Sequence, residues 1–206
     1  MKIAKDAFRF LIPLSLITLL MIINNFFWAG SFFVVLTLFV GFFFRDPERK
    51  ISRGNGLILA PADGRIVAVN EKIDGSKTVS IFLSIFNVHI NRSPITGKIS
   101  EVLYRPGTFR MAFDNRASID NEQNTLVIKN ESLQIKCNQI AGAVARRIVC
   151  WKKLGDHVEI GERIGLIRFG SRVDIVLPIN VSLLVSRGDK VRAGVTAIGR
   201  LKLEEE

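Results

Sequence analysis

Between Phe10 and Phe44 the chain carries no charged residue, and the run is rich in phenylalanine and holds Trp28. About 20 apolar residues cross a bilayer, so the run is long enough for one generous span or two short ones. Asn24-Asn25, followed by Trp28-Ala29-Gly30, suits a turn near the far interface. Lys2, Lys5 and Arg9 precede the run, and Arg45, Arg49, Lys50 and Arg53 follow it. Positive flanks favour the cytoplasmic side. A shallow hairpin satisfies both flanks, whereas a single crossing leaves one of them outside. The short first arm also suits a hairpin lying part-way into the interface. A cleaved signal peptide fits less well: the stretch exceeds an apolar signal core, and a basic cluster rather than a small-residue cleavage site follows.

After Arg45-Asp46-Pro47 the texture changes to short apolar runs punctuated by Gly, Pro, Asn and Asp. Residues 66–69, 79–83, 126–128, 164–167 and 173–177 are rich in branched side chains and predict β-strands. Ile140 to Val149 is the one helix candidate, weakened by glycine and β-branched residues. The segment Gly155-Asp156-His157-Val158-Glu159-Ile160-Gly161 is echoed by Gly188-Asp189-Lys190-Val191-Arg192-Ala193-Gly194. This G-D-x-V-x-x-G pattern predicts tight bends between strands. Such bends recur in the small barrels that carry biotin or lipoate, but no exposed hairpin lysine follows here. The predicted fold is mainly β, a compact barrel or sandwich related to barrel-sandwich hybrids, with few helices and an N-terminal hydrophobic helical hairpin. The expected boundary separates a membrane-associating segment, 1–45, from a domain over 46–206.

Charge sharpens this picture. The 206 residues include 29 Lys or Arg against 19 Asp or Glu, a net +10, yet 48% of the chain is hydrophobic. A disordered basic tail is excluded by that apolar content. Nucleic-acid binding is disfavoured, because the basic residues are scattered through strands and membrane flanks without aromatic interleaving. Cys137 and Cys150 lack C-x-x-C spacing and read as reduced, structural thiols in a cytoplasm-facing body. No metal-ligand cluster or phosphate-binding glycine loop is evident.

Of the two histidines, His157 lies in a bend and reads as exposed and inert. His89 lies where an apolar strand runs into the polar turn Asn87-Val88-His89-Ile90-Asn91-Arg92-Ser93-Pro94. Asp63 in Pro61-Ala62-Asp63-Gly64 reads alone as a turn former, and Ser171 in Phe169-Gly170-Ser171-Arg172 as a break between strands.

Together and in order, these blocks resemble a family. P-A-D-G at Asp63, F-N-V-H-I-N-R-S-P at His89, Y-R-P-G-T-F from Tyr104, A-S-I-D-N-E-Q-N from Ala117, Q-I-A-G-A-V-A-R-R-I-V from Gln139 and F-G-S-R-V-D from Phe169 are similar to the short bacterial and archaeal phosphatidylserine decarboxylases. The resemblance covers residues from about 43 to 200. It implies self-cleavage between Gly170 and Ser171, a β chain of 1–170, an α chain of 171–206 and a covalent pyruvoyl made from Ser171 as the only cofactor. It further implies that His89 is the base, with Asp63 orienting its imidazole as in a Ser-His-Asp triad. The pyruvoyl forms a Schiff base with phosphatidylserine, loses CO2 and yields phosphatidylethanolamine at the cytoplasmic membrane face. The implied partners are the lipid and the chain's own two fragments as a heterodimer, with higher homo-oligomers open, and no nucleic acid.

Longer members have L-G-S-T at the cleavage site and a second histidine three residues before the base. Here Phe169, Arg172 and Phe86 stand at those positions. Arg92, Arg105 and Arg116 are candidates for the lipid phosphate, because guanidinium matches phosphate oxygens bidentately. Two alternatives stay open: a decarboxylase of another serine phospholipid such as archaetidylserine, and a non-catalytic membrane-anchored lipid-binding module.

Overall fold

The computed structural model describes residues 2–108, 117–142, 147–168 and 170–202. The chain forms two compact units, Met1–Glu48 and Arg49–Glu206.

The first unit is a helical hairpin, α1 (Phe8–Ile23) and α2 (Phe27–Phe43), whose ends are joined by β1 (Lys2–Ile3) pairing antiparallel with β2 (Arg45–Asp46). Its turn has a definite local cause. Asn25 takes φ 61°, a left-handed conformation that asparagine tolerates. Its N–H donates to Ile22 O at 3.1 Å, and the Phe26 N–H donates to Met21 O at 2.9 Å, which satisfies carbonyls that the helix end would leave open. The segment Lys5–Ile23 is long and apolar enough to cross a membrane. At about 1.5 Å per residue the 16 residues of α1 rise about 24 Å, less than a bilayer core of about 30 Å.

The second unit is mainly β. Among the described residues its largest sheet has eight strands: β4 (Gly64–Glu71), β5 (Lys77–Leu83), β7 (Gly97–Arg105), β8 (Gln123–Lys129), β9 (Gln134–Ala141), β11 (His157–Val158), β13 (Ser171–Leu177) and β15 (Lys190–Val191). The order is β11-β7-β8-β9-β13-β5-β4-β15, and every pair is antiparallel. Two three-stranded sheets complete the unit. One joins β6 (Ile90–Arg92), β10 (Ile148–Cys150) and β12 (Arg163–Ile167); the other joins β3 (Leu57–Leu59), β14 (Val181–Leu183) and β16 (Ala197–Leu201). The short helix α3 (Ala117–Asp120) precedes β8.

All five predicted strands are present, in β4, β5, β8, β12 and β13. Their fully buried Ile66, Ile81, Leu126, Ile128, Ile164, Val173 and Ile175 belong to one core. The helix expected over Ile140–Val149 is not formed: Ile140 and Ala141 end β9, Ile148 and Val149 begin β10, and 143–146 lie outside the described residues. Branched residues at both ends gain more from pairing with β8, β13 and β12 than from an isolated helical turn.

The G-D-x-V echo belongs to a larger backbone repeat. Pro61-Ala62-Asp63-Gly64-Arg65-Ile66 enters β4, and Pro94-Ile95-Thr96-Gly97-Lys98-Ile99 enters β7. The Gly188 bend closes the sheet beside β4, and the Gly155 bend closes it beside β7. The Gly188 N–H donates to Ile66 O at 2.8 Å, and the Gly155 N–H to Ile99 O at 2.9 Å. In return the Ile66 N–H donates to Asp189 O at 2.9 Å, and the Ile99 N–H to Asp156 O at 2.8 Å. The register also slips at matching places, between Ile66 and Ala68 and between Ile99 and Glu101. The predicted bends are therefore edge strands that cap opposite ends of one sheet.

Candidate active site

Gly64 is pressed against β5: a Cβ there would lie 2.1 Å from Phe82 O, so only glycine fits. This close approach puts Asp63, Leu83 and Ser84 at one end of the sheet, where β13 also begins, with Ser171 in register with Leu83 on one side and Ala141 on the other.

Asp63 is 8% exposed. Its Oδ2 pairs with Arg49 at 2.6 Å, and its Oδ1 accepts the Ala193 N–H at 2.8 Å. His89 is held elsewhere. The Ser84 N–H and hydroxyl both donate to Asn87 Oδ1, at 2.9 and 2.8 Å, which fixes a tight turn. The carbonyl of Asn87 then lies 3.0 Å from His89 Nδ1. A carbonyl only accepts, so Nδ1 carries a proton, and in the neutral ring the lone pair is on Nε2. The orienting contact that the resemblance assigns to Asp63 is here made by the Asn87 carbonyl.

Ser171 opens β13 and is fully buried, and its Oγ has no hydrogen-bond partner among the described residues. Gly170 before it takes φ 61°, and among the described residues other than its chain neighbours no atom lies within 4 Å of where a Cβ would sit. An unpartnered buried hydroxyl is costly, of order 1–3 kcal/mol, and functional sites are where such costs persist. The bond before Ser171 thus joins a left-handed glycine to a residue whose buried hydroxyl has no partner among the described residues.

Two polar networks flank this point. Arg172 Nε donates to Asp174 Oδ1 at 2.6 Å and its Nη2 to Ser80 Oγ at 2.6 Å, while the Ser118 hydroxyl donates to Asp174 Oδ2 at 2.7 Å. This buried pair ties α3 to the strand that carries Ser171. On the other face, Asn124 Nδ2 donates to Gln139 Oε1 at 2.9 Å and Gln139 Nε2 to Asn91 Oδ1 at 2.8 Å, a carboxamide chain bridging β8, β9 and β6. Burial, with the Asp174 and Cys150 charges adding to it, pushes the Cys137 thiol up to about 12, so it stays protonated and inert. Both cysteines are free thiols.

Arg92 is buried and donates to Gly161 O at 2.8 Å, bracing a bend. Arg105 donates to the carbonyls of Ser118 and Ile119 in α3. Arg116 lies outside the described residues. Arg49, Asn87 and the carboxamide chain escaped the sequence reading, since each acts through a contact between distant segments or through its backbone.

Residues 36–199 match the model of the family described as phosphatidylserine decarboxylase. The chain belongs to this family. It is 42% identical over 205 residues to the phosphatidylserine decarboxylase proenzyme of Geotalea uraniireducens, covering 97% of this chain and 96% of that one. The proenzyme of Chlorobium chlorochromatii is 45% identical over 179 residues, 84% of each chain. That of Carboxydothermus hydrogenoformans is 43% identical over 205 residues, 96% of each. Phosphatidylserine decarboxylase relatives make the chain a decarboxylase, a carboxy-lyase of a proenzyme family, in agreement with the resemblance read from its motifs.

Proposed function

We propose that the chain cleaves itself between Gly170 and Ser171 and then decarboxylates phosphatidylserine to phosphatidylethanolamine. The observation that carries this reading is the buried Ser171 hydroxyl, without a partner among the described residues, directly after a left-handed glycine.

In the neutral ring, with the Asn87 carbonyl holding the proton at Nδ1, His89 Nε2 takes the Ser171 proton. Oγ attacks the Gly170 carbonyl carbon, and the C–N bond breaks to leave an ester. Loss of the Ser171 Cα proton expels the Gly170 carboxylate. Hydrolysis then releases ammonia and leaves a pyruvoyl on residue 171. When present, that group supplies a ketone that condenses with the substrate amine and accepts the electron pair left by departing CO2. His89 is the group available to return a proton. Asp63, fixed by Arg49 and Ala193, keeps a carboxylate at the same end of the sheet, where it stabilises the imidazolium.

Strand β13 supports a stable two-fragment product. Residues 171–177 pair with β5 along their whole length, and 171–176 pair with β9, so a cut before Ser171 frees a terminus without freeing the strand. The apolar hairpin with its basic flanks supports anchorage at the cytoplasmic membrane face.

Intact-mass measurement tests the cleavage. The wild type should give fragments ending at Gly170 and beginning at residue 171, with the second lacking a free amine. An unbroken wild-type chain, or efficient splitting of Ser171→Ala, would sink the reading. His89→Ala should slow or abolish the cut.

A further inference from the structure

The backbone repeat builds two clefts of similar construction and different charge. The cleft beside Asp63 measures about 670 Å³ and the one beside Thr96 about 470 Å³. Matching backbone groups address the two residues: the Ala193 N–H donates to Asp63 Oδ1 at 2.8 Å, and the Ile160 N–H to Thr96 Oγ1 at 3.0 Å. By the same correspondence Arg65 matches Lys98, Lys190 matches His157, and Arg192 matches Glu159.

In the first cleft Arg65 and Lys190 stand directly opposite each other on antiparallel β4 and β15. Like charges so placed destabilise a sheet unless an anion offsets them. Arg65, Lys190 and Arg192 are exposed and make no ion pair among the described residues. The local carboxylates are engaged elsewhere. Asp63 has Arg49 on one oxygen and the Ala193 N–H on the other, and Asp189 turns into its own bend to accept the Ser186 N–H at 2.8 Å. The second cleft carries its own counter-ion, because Glu159 lies 3.3 Å from His157 Nε2 and accepts the Thr96 hydroxyl at 3.2 Å. Replacing that glutamate by Arg192 removes the internal anion where the candidate catalytic carboxylate stands.

We infer that Arg65, Lys190 and Arg192 bind the phosphodiester of the substrate head group in the cleft beside Asp63, an inference that rests on reading the substrate as a serine phospholipid. Ser84 and Asn87, whose turn holds His89, line the same cleft, so an anion gripped there tethers the head group beside the proposed base. Guanidinium and ammonium groups recognise phosphate oxygens whether these belong to a lipid or to a free ion, and the test separates the two.

The full chain is titrated with glycerophosphoserine, the head group without acyl chains, and separately with inorganic phosphate. The wild type should bind glycerophosphoserine. Arg65→Gln combined with Lys190→Gln should weaken binding about tenfold or more, the loss of one charge-assisted contact or more. Lys98→Gln with Lys129→Gln, in the other cleft, should leave it within about twofold, as expected of charges on solvated surface. In assays of split enzyme the first variant should raise KM with kcat within about twofold, as removal of uniform binding does. Equal affinities of wild type and the first variant overturn the inference, as does a wild type that binds no glycerophosphoserine. Binding of inorganic phosphate alone also overturns it, since the cleft would then be a free-anion site. The titration reads intact and split chains alike. A chain that fails to cleave therefore sinks the proposed reaction and leaves this result standing, whereas normal cleavage with unchanged affinity sinks the cleft assignment only.

Discussion

The halves of the sheet around β4 and β7 share their bends, their edge strands and their matching bulges, yet only one holds a candidate catalytic carboxylate. Asp63 and Thr96 receive the same kind of backbone N–H, so the scaffold treats them alike. Chemistry is assigned by a few side chains: Asp63 with Arg49 on one side, Thr96 with Glu159 on the other. Repetition of backbone hydrogen bonds builds the platform, and departures from the repeat make it asymmetric.

Exchanging the halves' side chains should break this contrast most sharply. Asp63→Thr, which installs the residue of the other half, should lower decarboxylation by about 100-fold or more, since the proposed base loses the carboxylate that stabilises its imidazolium. Thr96→Asp should leave activity within about twofold, since Thr96 lies outside the proposed machinery. A comparable loss from both, in steady-state assays of split enzyme, would mean that the carboxylate has no special place.

Next in size is the partner of Asp63. Arg49→Leu leaves a buried carboxylate without its counter-ion, which costs about 3–5 kcal/mol when an ion pair is broken from one side. Thermal unfolding should show a large drop in Tm, and Arg49→Leu with Asp63→Leu should recover most of it. If the single substitution leaves Tm unchanged, the pair is not the clamp described.

The shared scaffold makes a smaller and symmetrical prediction. Among the described residues other than their chain neighbours, no atom lies closer than 4.0 Å to the point a Cβ would occupy at Gly155, φ 90°, or Gly188, φ 101°, so alanine there meets strain but no clash. Each Gly→Ala change should cost about 1–2 kcal/mol, and nearly the same at both bends. Unequal losses by chemical denaturation would show that the two bends do different structural work.

Smallest is an effect on rate alone. Because burial pushes the Cys137 thiol to about 12, its reactive thiolate is scarce in the folded protein at any pH below that value. Alkylation at pH 8 should reach Cys137 only after unfolding; rapid labelling of Cys137 itself in the native chain, read by peptide mass, would contradict its placement in the sheet that both halves share.

Much of the fold was legible because the apolar runs are short, branched and separated by turn residues. The helix expected over Ile140–Val149 shows where that reading stops. Its ends are strands because β8, β13 and β12 lie beside them, and no local property of the segment announces those neighbours. The repeat was legible only in part. G-D-x-V keeps its letters in both copies, but Pro61–Ile66 and Pro94–Ile99 share little beyond proline, glycine, a cation and isoleucine. Their kinship lies in backbone bonds, which many side chains permit. At the candidate site, ordered motifs singled out Asp63, His89 and Ser171. The partner of His89 was not, because Asn87 acts through its carbonyl, a group every residue has.

By itself the sequence determined the uncharged apolar hairpin with basic flanks, the β-rich body and the family, since each follows from composition or from motifs in a given order. Only the tertiary structure decided that Arg49 rather than His89 meets Asp63, that Ser171 is buried without a partner among the described residues, and that Arg65 and Lys190 face each other across a sheet edge. Those contacts join segments far apart in the chain, and strand register, which a one-residue slip would reverse, selects which side chains meet.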